Sequence, residues 1–233
     1  MSDITIDGHR ISVLFSEADI AKRITVLAHE IAARKPKNLL VVPVLKGSFI
    51  FAADLIRAMH HAGLSPEVDF MILASYRAAK VSSGQVEVLR DIESPIQNRD
   101  VMLVDDILES GRTLAFAKDL LMARGASSVM TAVLLEKPGH LAANIKADFC
   151  GFSCPDKFVV GYGMDMAHQF RELPFVGHVL TAVLLEKPGH LAADIKADFC
   201  GFSCPDKFVV GYGMDMAHQF RELPFVGHVV SAN

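Results

Sequence analysis

The run Val101 to Leu114, VMLVDDILESGRTL, holds the residues best placed to do chemistry. A short apolar strand ends at the adjacent carboxylates Asp105 and Asp106. Glu109 follows, then the small-residue loop Ser110-Gly111-Arg112-Thr113, where helical spacing begins. The first backbone N–H groups of a helix have no carbonyl partner within it. Ser110 to Thr113 therefore offer donors, with two hydroxyls beside them, for a phosphate. The run lacks the Gly-x4-Gly-Lys-Ser/Thr spacing of a P-loop and the Gly-x-Gly-x-x-Gly of a dinucleotide fold. Acid beside a phosphate cradle suits a ligand with both a phosphate and vicinal hydroxyls. Carboxylates accept from such hydroxyls directly or through Mg2+.

The elements that must position these groups alternate. Ser16 to Arg34 starts with Ser before acidic residues and repeats apolar positions at Ile20, Ile24, Leu27, His29 and Ile31, which predicts an N-capped amphipathic helix. Leu39 to Leu45 reads as a strand buried on both faces, stopping at Lys46-Gly47-Ser48. A helix is predicted over Phe49 to His61, a strand over Val68 to Tyr76, and an exposed loop or hairpin over Val81 to Glu93. Val101 to Val104 is a strand that Asp105-Asp106 should break, and helical spacing then runs to Arg124, with Gly125 placed to cap its end. Val129 to Leu135, Phe149 to Phe152 and Phe158 to Gly161 are further strands. The alternation predicts an α/β fold with a mostly parallel twisted sheet flanked by helices. Ligands of such sheets sit at the carboxyl ends of the strands, which selects Lys46-Gly47, Asp105 to Thr113, Lys137 and Asp165.

Composition narrows the class of function. With 233 residues, 51% hydrophobic and 21% charged, the chain has ample material for a core. Its net charge of −4 offers no broad cationic field, so no nucleic-acid or anionic-membrane partner is expected. The apolar runs are far shorter than the roughly 18 to 20 residues that span a bilayer, and Met1 to Arg10 has no apolar signal core, so a cytoplasmic location is expected.

The chain also contains a near-copy of itself. Shifted by 50 positions, Thr131–Leu180 aligns with Thr181–Val230, and the two differences are Asn144 against Asp194 and Leu180 against Val230. Two almost identical segments behind unrelated sequence do not make a stacked repeat array. The expected organisation is a domain over 1–180, with 181–233 packed peripherally, swapped into a neighbour or poorly ordered. Duplication also explains the cysteines. Cys150, Cys154, Cys200 and Cys204 are one pair counted twice, each in Phe-Cys-Gly-Phe-Ser-Cys-Pro, and are expected to be buried, reduced core thiols rather than a zinc site. His60-His61, His168, His178, Met164 and Met166 are expected to serve structure rather than chemistry.

The acidic pair with its loop resembles the phosphoribosyl-pyrophosphate motif of type I phosphoribosyltransferases. The first 180 residues are similar to their hypoxanthine-guanine branch, through VLKGSFIFAADL (Val44 to Leu55), Ser75-Tyr76-Arg77, LLEKPG (Leu134 to Gly139), PDKFVVGYGMD (Pro155 to Asp165) and FREL (Phe170 to Leu173). The resemblance implies that family's fold, with a small hood region, and implies roles. Lys46-Gly47 would form the pyrophosphate loop, with a non-proline cis peptide before or at the Lys. Asp105 and Asp106 would hold the ribose hydroxyls and contribute to a Mg2+ site with Asp165. Glu109 would be the general base near purine N7. Ile107 and Ser110 to Thr113 would surround the 5'-phosphate. Lys137 would donate to the purine 6-oxygen, Phe158 would stack on the base beside Lys157 and the Val159 backbone, and Arg171 would contact pyrophosphate. Ser75-Tyr76 would belong to a lid that excludes water.

Two positions depart from the family pattern: Asp105-Asp106 stands where Glu-Asp is usual, and Glu109-Ser110 where Asp-Thr or Asp-Ser is usual. An added methylene at Glu109 moves its carboxylate by roughly 1 to 1.5 Å, a displacement large enough to affect rate. The activity implied is Mg2+-dependent transfer of phosphoribosyl from its pyrophosphate to hypoxanthine or guanine, in a homodimer or homotetramer. The rival reading is a non-catalytic nucleotide sensor or RNA-binding regulator on the same fold. It is disfavoured by the net charge and by the presence of Lys137, Asp165 and Arg171.

Overall fold

The computed structural model describes residues 3–75, 86–187, 197–216, 219–221 and 223–229. It divides into two compact units, Met1–Val179 and Leu180–Asn233.

The first unit begins with strands β1 (Asp3–Ile6) and β2 (His9–Phe15), then helix α1 (Glu17–Ala33), β3 (Leu40–Leu45), α2 (Phe49–His61), β4 (Glu67–Val68), β5 (Met71–Ser75) and β6 (Val86–Arg90). It continues with β7 (Asp100–Leu108), α3 (Arg112–Ala123), β8 (Ser128–Glu136), β9 (Phe149–Ser153), β10 (Val159–Val160) and β11 (Val176–Val179). The main sheet runs β6-β5-β3-β7-β8-β9, with β4 also paired to β3. Its pairings are parallel except that of β5 with β6, which is antiparallel.

Local chemistry explains the elements. Ser16 opens α1 with a reciprocal capping box: its hydroxyl accepts from the Asp19 backbone N–H, and the Asp19 carboxylate accepts from the Ser16 backbone. The helix buries Ile20, Ile24, Leu27, Ala28 and Ile31. His29 is exposed, contrary to its expected place on the apolar face, and donates through Nδ1 to the Thr25 carbonyl at 2.8 Å.

Strand β3 is a continuous apolar run because both faces of the sheet are covered. Val41, with Met102 and Val104 of β7, faces α1 and α2, where Phe51, Leu55 and Met59 are buried. Leu40, Val42 and Val44 point the other way, with Leu103, onto Leu114, Ala117 and Leu121 of α3. Each fully buried side chain of this size contributes roughly 1.5 to 3 kcal/mol of transfer free energy.

Two strand assignments change. The expected strand over Val68 to Tyr76 is interrupted between β4 and β5, where Asp69 accepts from the backbone N–H groups of Phe70, Glu93 and Ser94. Strand β7 does not break at the aspartates; it runs to Leu108, because β8 pairs alongside through Asp105↔Val133 and Leu108↔Glu136.

A second, four-stranded antiparallel sheet, β1-β2-β11-β10, supplies the hood. Its core is Ile11, Val160, Phe170, Leu173 and Val179.

The second unit contains β12 (Ala182–Glu186), β13 (Phe199–Ser203), β14 (Val209–Val210) and β15 (Gly227–His228). Strands β12 and β13 pair in parallel, and β14 and β15 antiparallel. The four cysteines are free. Cys154 and Cys204 are buried as expected, but Cys150 is half-buried and Cys200 exposed, so the thiols are not uniformly core residues. Burial pushes the Cys150 thiol up to about 11, which keeps it protonated near neutrality.

Candidate active site

The carboxyl ends of β3, β7 and β8 carry most of the expected site residues. The β3–α2 turn presents exposed Lys46 and half-buried Gly47, with a cis peptide at Leu45–Lys46. Gly47 lies directly against the acidic pair. A Cβ built on it would fall 1.7 Å from Asp106 Oδ2, so glycine is what allows the carboxylate to approach the turn. Ser48 is fully buried and closes the turn by donating from Oγ to the Val44 carbonyl at 2.6 Å.

Asp105 and Asp106 occupy the end of β7. Each carboxylate accepts from the next backbone N–H, Asp106 N to Asp105 Oδ1 at 3.0 Å and Ile107 N to Asp106 Oδ1 at 2.9 Å. Burial raises the Asp105 carboxyl well above the usual range, and the adjacent Asp106 charge raises it further. Burial also raises Asp106, opposed by its hydrogen bonds to Asp105 and the Ile107 backbone and by the charge of Arg171. Such a pair favours a shared proton, a hydroxyl donor or a cation.

Beyond the pair, Glu109 Oε1 accepts from Lys137 Nζ at 3.1 Å. The Lys137 side chain is 8% exposed and that of Glu109 42%. Lys137 is fixed at the end of β8 by its backbone N–H, which donates to the Leu108 carbonyl at 2.9 Å.

The entry to α3 turns through a glycine. Its capping residue is Gly111, at φ 74°, and no side chain caps the helix. Ser110 Oγ accepts from the Arg112 N–H at the long distance of 3.5 Å, so the first turn keeps donors directed outward. The Ser110 carbonyl accepts from Ala142 and Ala143, which holds the loop against the segment after β8. Positive φ, and Ile145 2.6 Å from a would-be Cβ, explain the glycine at 111.

The segment between β10 and β11 closes another side. Gly163 packs on the β3–α2 turn, with a would-be Cβ 2.1 Å from the Gly47 carbonyl. Arg171 donates to the Gly163 carbonyl at 2.5 Å and pairs with Asp165 Oδ1 at 2.5 Å. Asp165 also accepts from the His168 N–H at 2.9 Å. Tyr162 donates its hydroxyl to Asp54 of α2, and burial and that carboxylate raise its pKa. Sequence reasoning did not single out Tyr162 or Asp54; a tyrosine between two glycines was the available signal.

Phe158 is 50% exposed at the start of β10, while Val159 is buried. Lys157 Nζ lies 3.1 Å from His178 Nε2, which places His178, expected to be structural, beside a predicted binding residue. His60, His61 and His168 are exposed, and Met164 is buried in the core as expected. Tyr76, half of the expected lid, lies outside the described residues; Ser75 ends β5. Among the described residues, no three His, Cys, Asp or Glu side chains already converge as a metal cage.

The central strand of a parallel sheet delivers an acidic pair to a glycine-opened helix N-terminus, and comparison with known proteins shows the class to which this fold belongs. Residues 14–167 match the model of the phosphoribosyl transferase domain, and the chain belongs to that family. Within it, the chain is 42% identical over 166 residues to the hypoxanthine-guanine phosphoribosyltransferase of Bacillus subtilis, covering 71% of this chain and 91% of that protein. It is 39% identical over 174 residues to the hypoxanthine phosphoribosyltransferase of Escherichia coli, covering 73% and 96%. The crystal structure of a Staphylococcus aureus hypoxanthine phosphoribosyltransferase superposes with a TM-score of 0.68 at 37% identity, covering 72% of this chain and 90% of that one.

Proposed function

We propose that this chain is a purine-salvage transferase, which moves the 5-phosphoribosyl group of 5-phosphoribosyl 1-diphosphate to N9 of hypoxanthine or guanine and releases diphosphate. The observation that carries the choice of base is the buried ammonium of Lys137, held 3.1 Å from Glu109 on the phosphate-loop side of the sheet. A cation so enclosed rewards a ligand oxygen, as on a 6-oxopurine, and opposes the 6-amino group of adenine.

The base enters over the exposed ring of Phe158, with Lys157 and the Val159 backbone at its edge. Lys137 turns from Glu109 to the 6-oxygen, and the freed Glu109 carboxylate accepts the purine proton. Donors of Ser110, Gly111, Arg112 and Thr113, beside Ile107, hold the 5'-phosphate, while Asp105 and Asp106 accept from the ribose hydroxyls. Lys46, the Gly47 backbone and Arg171 offset charge on the departing diphosphate. Ser75, at the end of β5, belongs to the lid that excludes water.

Asp105, Asp106 and Asp165 supply hard carboxylate oxygens, and the raised pair is relieved by a divalent charge, so the donor set fits Mg2+. A Mg2+ ion held by these carboxylates would supply positive charge to offset that of the diphosphate. The active domain is residues 1–180, with 181–233 a near-identical duplicate of 131–180 outside it, in a cytoplasmic homodimer or homotetramer. No described helix is long and apolar enough to cross a membrane.

Lys137→Ala tests the assignment. It should reduce kcat/KM for hypoxanthine and guanine by roughly 1 to 3 kcal/mol of lost transition-state stabilisation. Unchanged kcat/KM for both bases would remove Lys137 from the site.

A further inference from the structure

Lys46 and Arg171, the two cations assigned above to the departing diphosphate, stand on different elements. Lys46 belongs to a turn that is continuous with α2: the Phe49 N–H donates to the Lys46 carbonyl at 3.3 Å and the Ala52 N–H to the Ser48 carbonyl at 2.8 Å. Arg171 belongs to the hairpin between β10 and β11. There the Tyr162 N–H donates to the Leu173 carbonyl at 2.8 Å, the Gly163 N–H donates to the Arg171 carbonyl at 3.0 Å, and the Arg171 guanidinium donates back to the Gly163 carbonyl. Each cation is fixed within its own element, so the span between them depends on how α2 meets the hairpin.

Tyr162 lies at that joint. It sits at φ 50° between Gly161 at 93° and Gly163 at 101°. Glycine reaches this left-handed region without steric cost and a tyrosine does not, so the conformation must be held by what the ring touches. The ring is buried in the core that also takes Phe51 and Leu55 of α2. Apolar packing of this kind is non-directional and leaves one surface able to slide on the other. The hydroxyl adds direction. It donates to Asp54 Oδ2 of α2, and burial together with the Asp54 carboxylate raises its pKa, which keeps the donated proton on the phenol. The other Asp54 oxygen pairs with Arg57, whose side chain is 73% exposed. One residue on, the backbone of Gly163 meets the Gly47 carbonyl, where a Cβ would fall 2.1 Å away.

Given the assignment of Lys46 and Arg171 to diphosphate, on which this rests, we propose that Tyr162 and Asp54 are positioning residues for the leaving group. Their hydrogen bond sets α2 against the hairpin and so sets the span at which Lys46 and Arg171 receive diphosphate. Neither residue is hydrogen-bonded to Phe158 or Lys137, so recognition of the base does not depend on it.

Binding of magnesium diphosphate to the full chain, read by isothermal titration calorimetry, tests this, with KM for hypoxanthine and thermal melting measured on the same variants. Tyr162→Phe keeps the ring and removes the hydroxyl. It should weaken diphosphate binding about 3- to 10-fold, the worth of one hydrogen bond, and leave KM for hypoxanthine at the parent value. Asp54→Ala should match it, Asp54→Asn, whose amide oxygen still accepts, should restore most of the affinity, and Tyr162→Phe with Asp54→Ala should be no worse than either alone. Arg57→Met, which removes only the exposed pair, should bind as the parent does. Unchanged diphosphate affinity in Tyr162→Phe would overturn the positioning role even if its Tm fell. So would an equal loss for hypoxanthine, or additive losses in the double variant. Arg171→Ala separates the two assignments: if diphosphate binding survives that change while Tyr162→Phe weakens it, the Tyr162–Asp54 bond still positions the site and the assignment of Arg171 fails.

Discussion

Replacing Glu109 and Lys137 separately should produce unequal costs, although each abolishes the same ion pair. The Lys137 side chain is 8% exposed and that of Glu109 42%. Glu109→Gln leaves a buried ammonium facing only a neutral amide oxygen. Loss of a charged partner to a buried group costs about 1 to 3 kcal/mol, and the partial exposure of Glu109 places this case at about 1 to 2 kcal/mol. For a chain of this size that lowers Tm by roughly 3 to 6 °C. Lys137→Met instead removes the buried charge, fills its space with an apolar stem and leaves Glu109 able to reach water. Its stability should stay within about 0.5 kcal/mol of the parent. Calorimetry or far-UV circular dichroism reads both; the chain has no Trp for fluorescence. Both variants should lose most activity. Lys137→Met destabilising as much as Glu109→Gln would refute the reasoning from burial.

Asp105→Asn should raise Tm at pH 7 by on the order of 2 to 4 °C while weakening binding of the phosphoribosyl donor. Burial and the Asp106 charge hold the folded Asp105 carboxyl above its unfolded value, so its contribution to stability is intact below about pH 3.9 and is lost as pH rises through the folded value. A lower Tm in this variant would contradict that cost. Asp91 behaves oppositely. Hydrogen bonds from Arg124 at 2.5 and 2.6 Å hold its carboxyl below the usual range, so its stabilisation is present above about pH 4 and is lost as pH falls through the folded value. With both side chains 38% exposed, screening limits this to about 1 kcal/mol. The Tm difference between parent and Asp91→Asn should shrink as the pH is lowered from 7 to 3, and a constant difference would refute the pairing.

The parallel sheet was legible because its strands are buried on both faces, so β3, β7 and β8 appear as unbroken apolar runs between helical periods. The sequence did not reveal where β7 ends. Asp105 and Asp106 read as a break, yet β8 pairs alongside them, and tertiary pairing outweighs the low strand preference of Asp. Nor does any local pattern announce that Gly111 opens α3: packing by Ile145 and the positive φ select glycine there. The site residues were named largely through motif resemblance. Their mutual geometry was not legible, above all the contact of Glu109 with Lys137. Identical strings also gave no hint that Phe149 and Phe199 would differ in burial, because burial depends on the scaffold beside a strand as well as on its sequence.

The most direct measurement is a spectrophotometric assay of the purified chain with 5-phosphoribosyl 1-diphosphate and Mg2+, offering hypoxanthine, guanine, xanthine, adenine and uracil in parallel. Conversion of hypoxanthine or guanine to the nucleotide, with stoichiometric diphosphate and no use of adenine or uracil, is the predicted result. Preference for adenine or uracil, or no turnover of any base, would contradict the account.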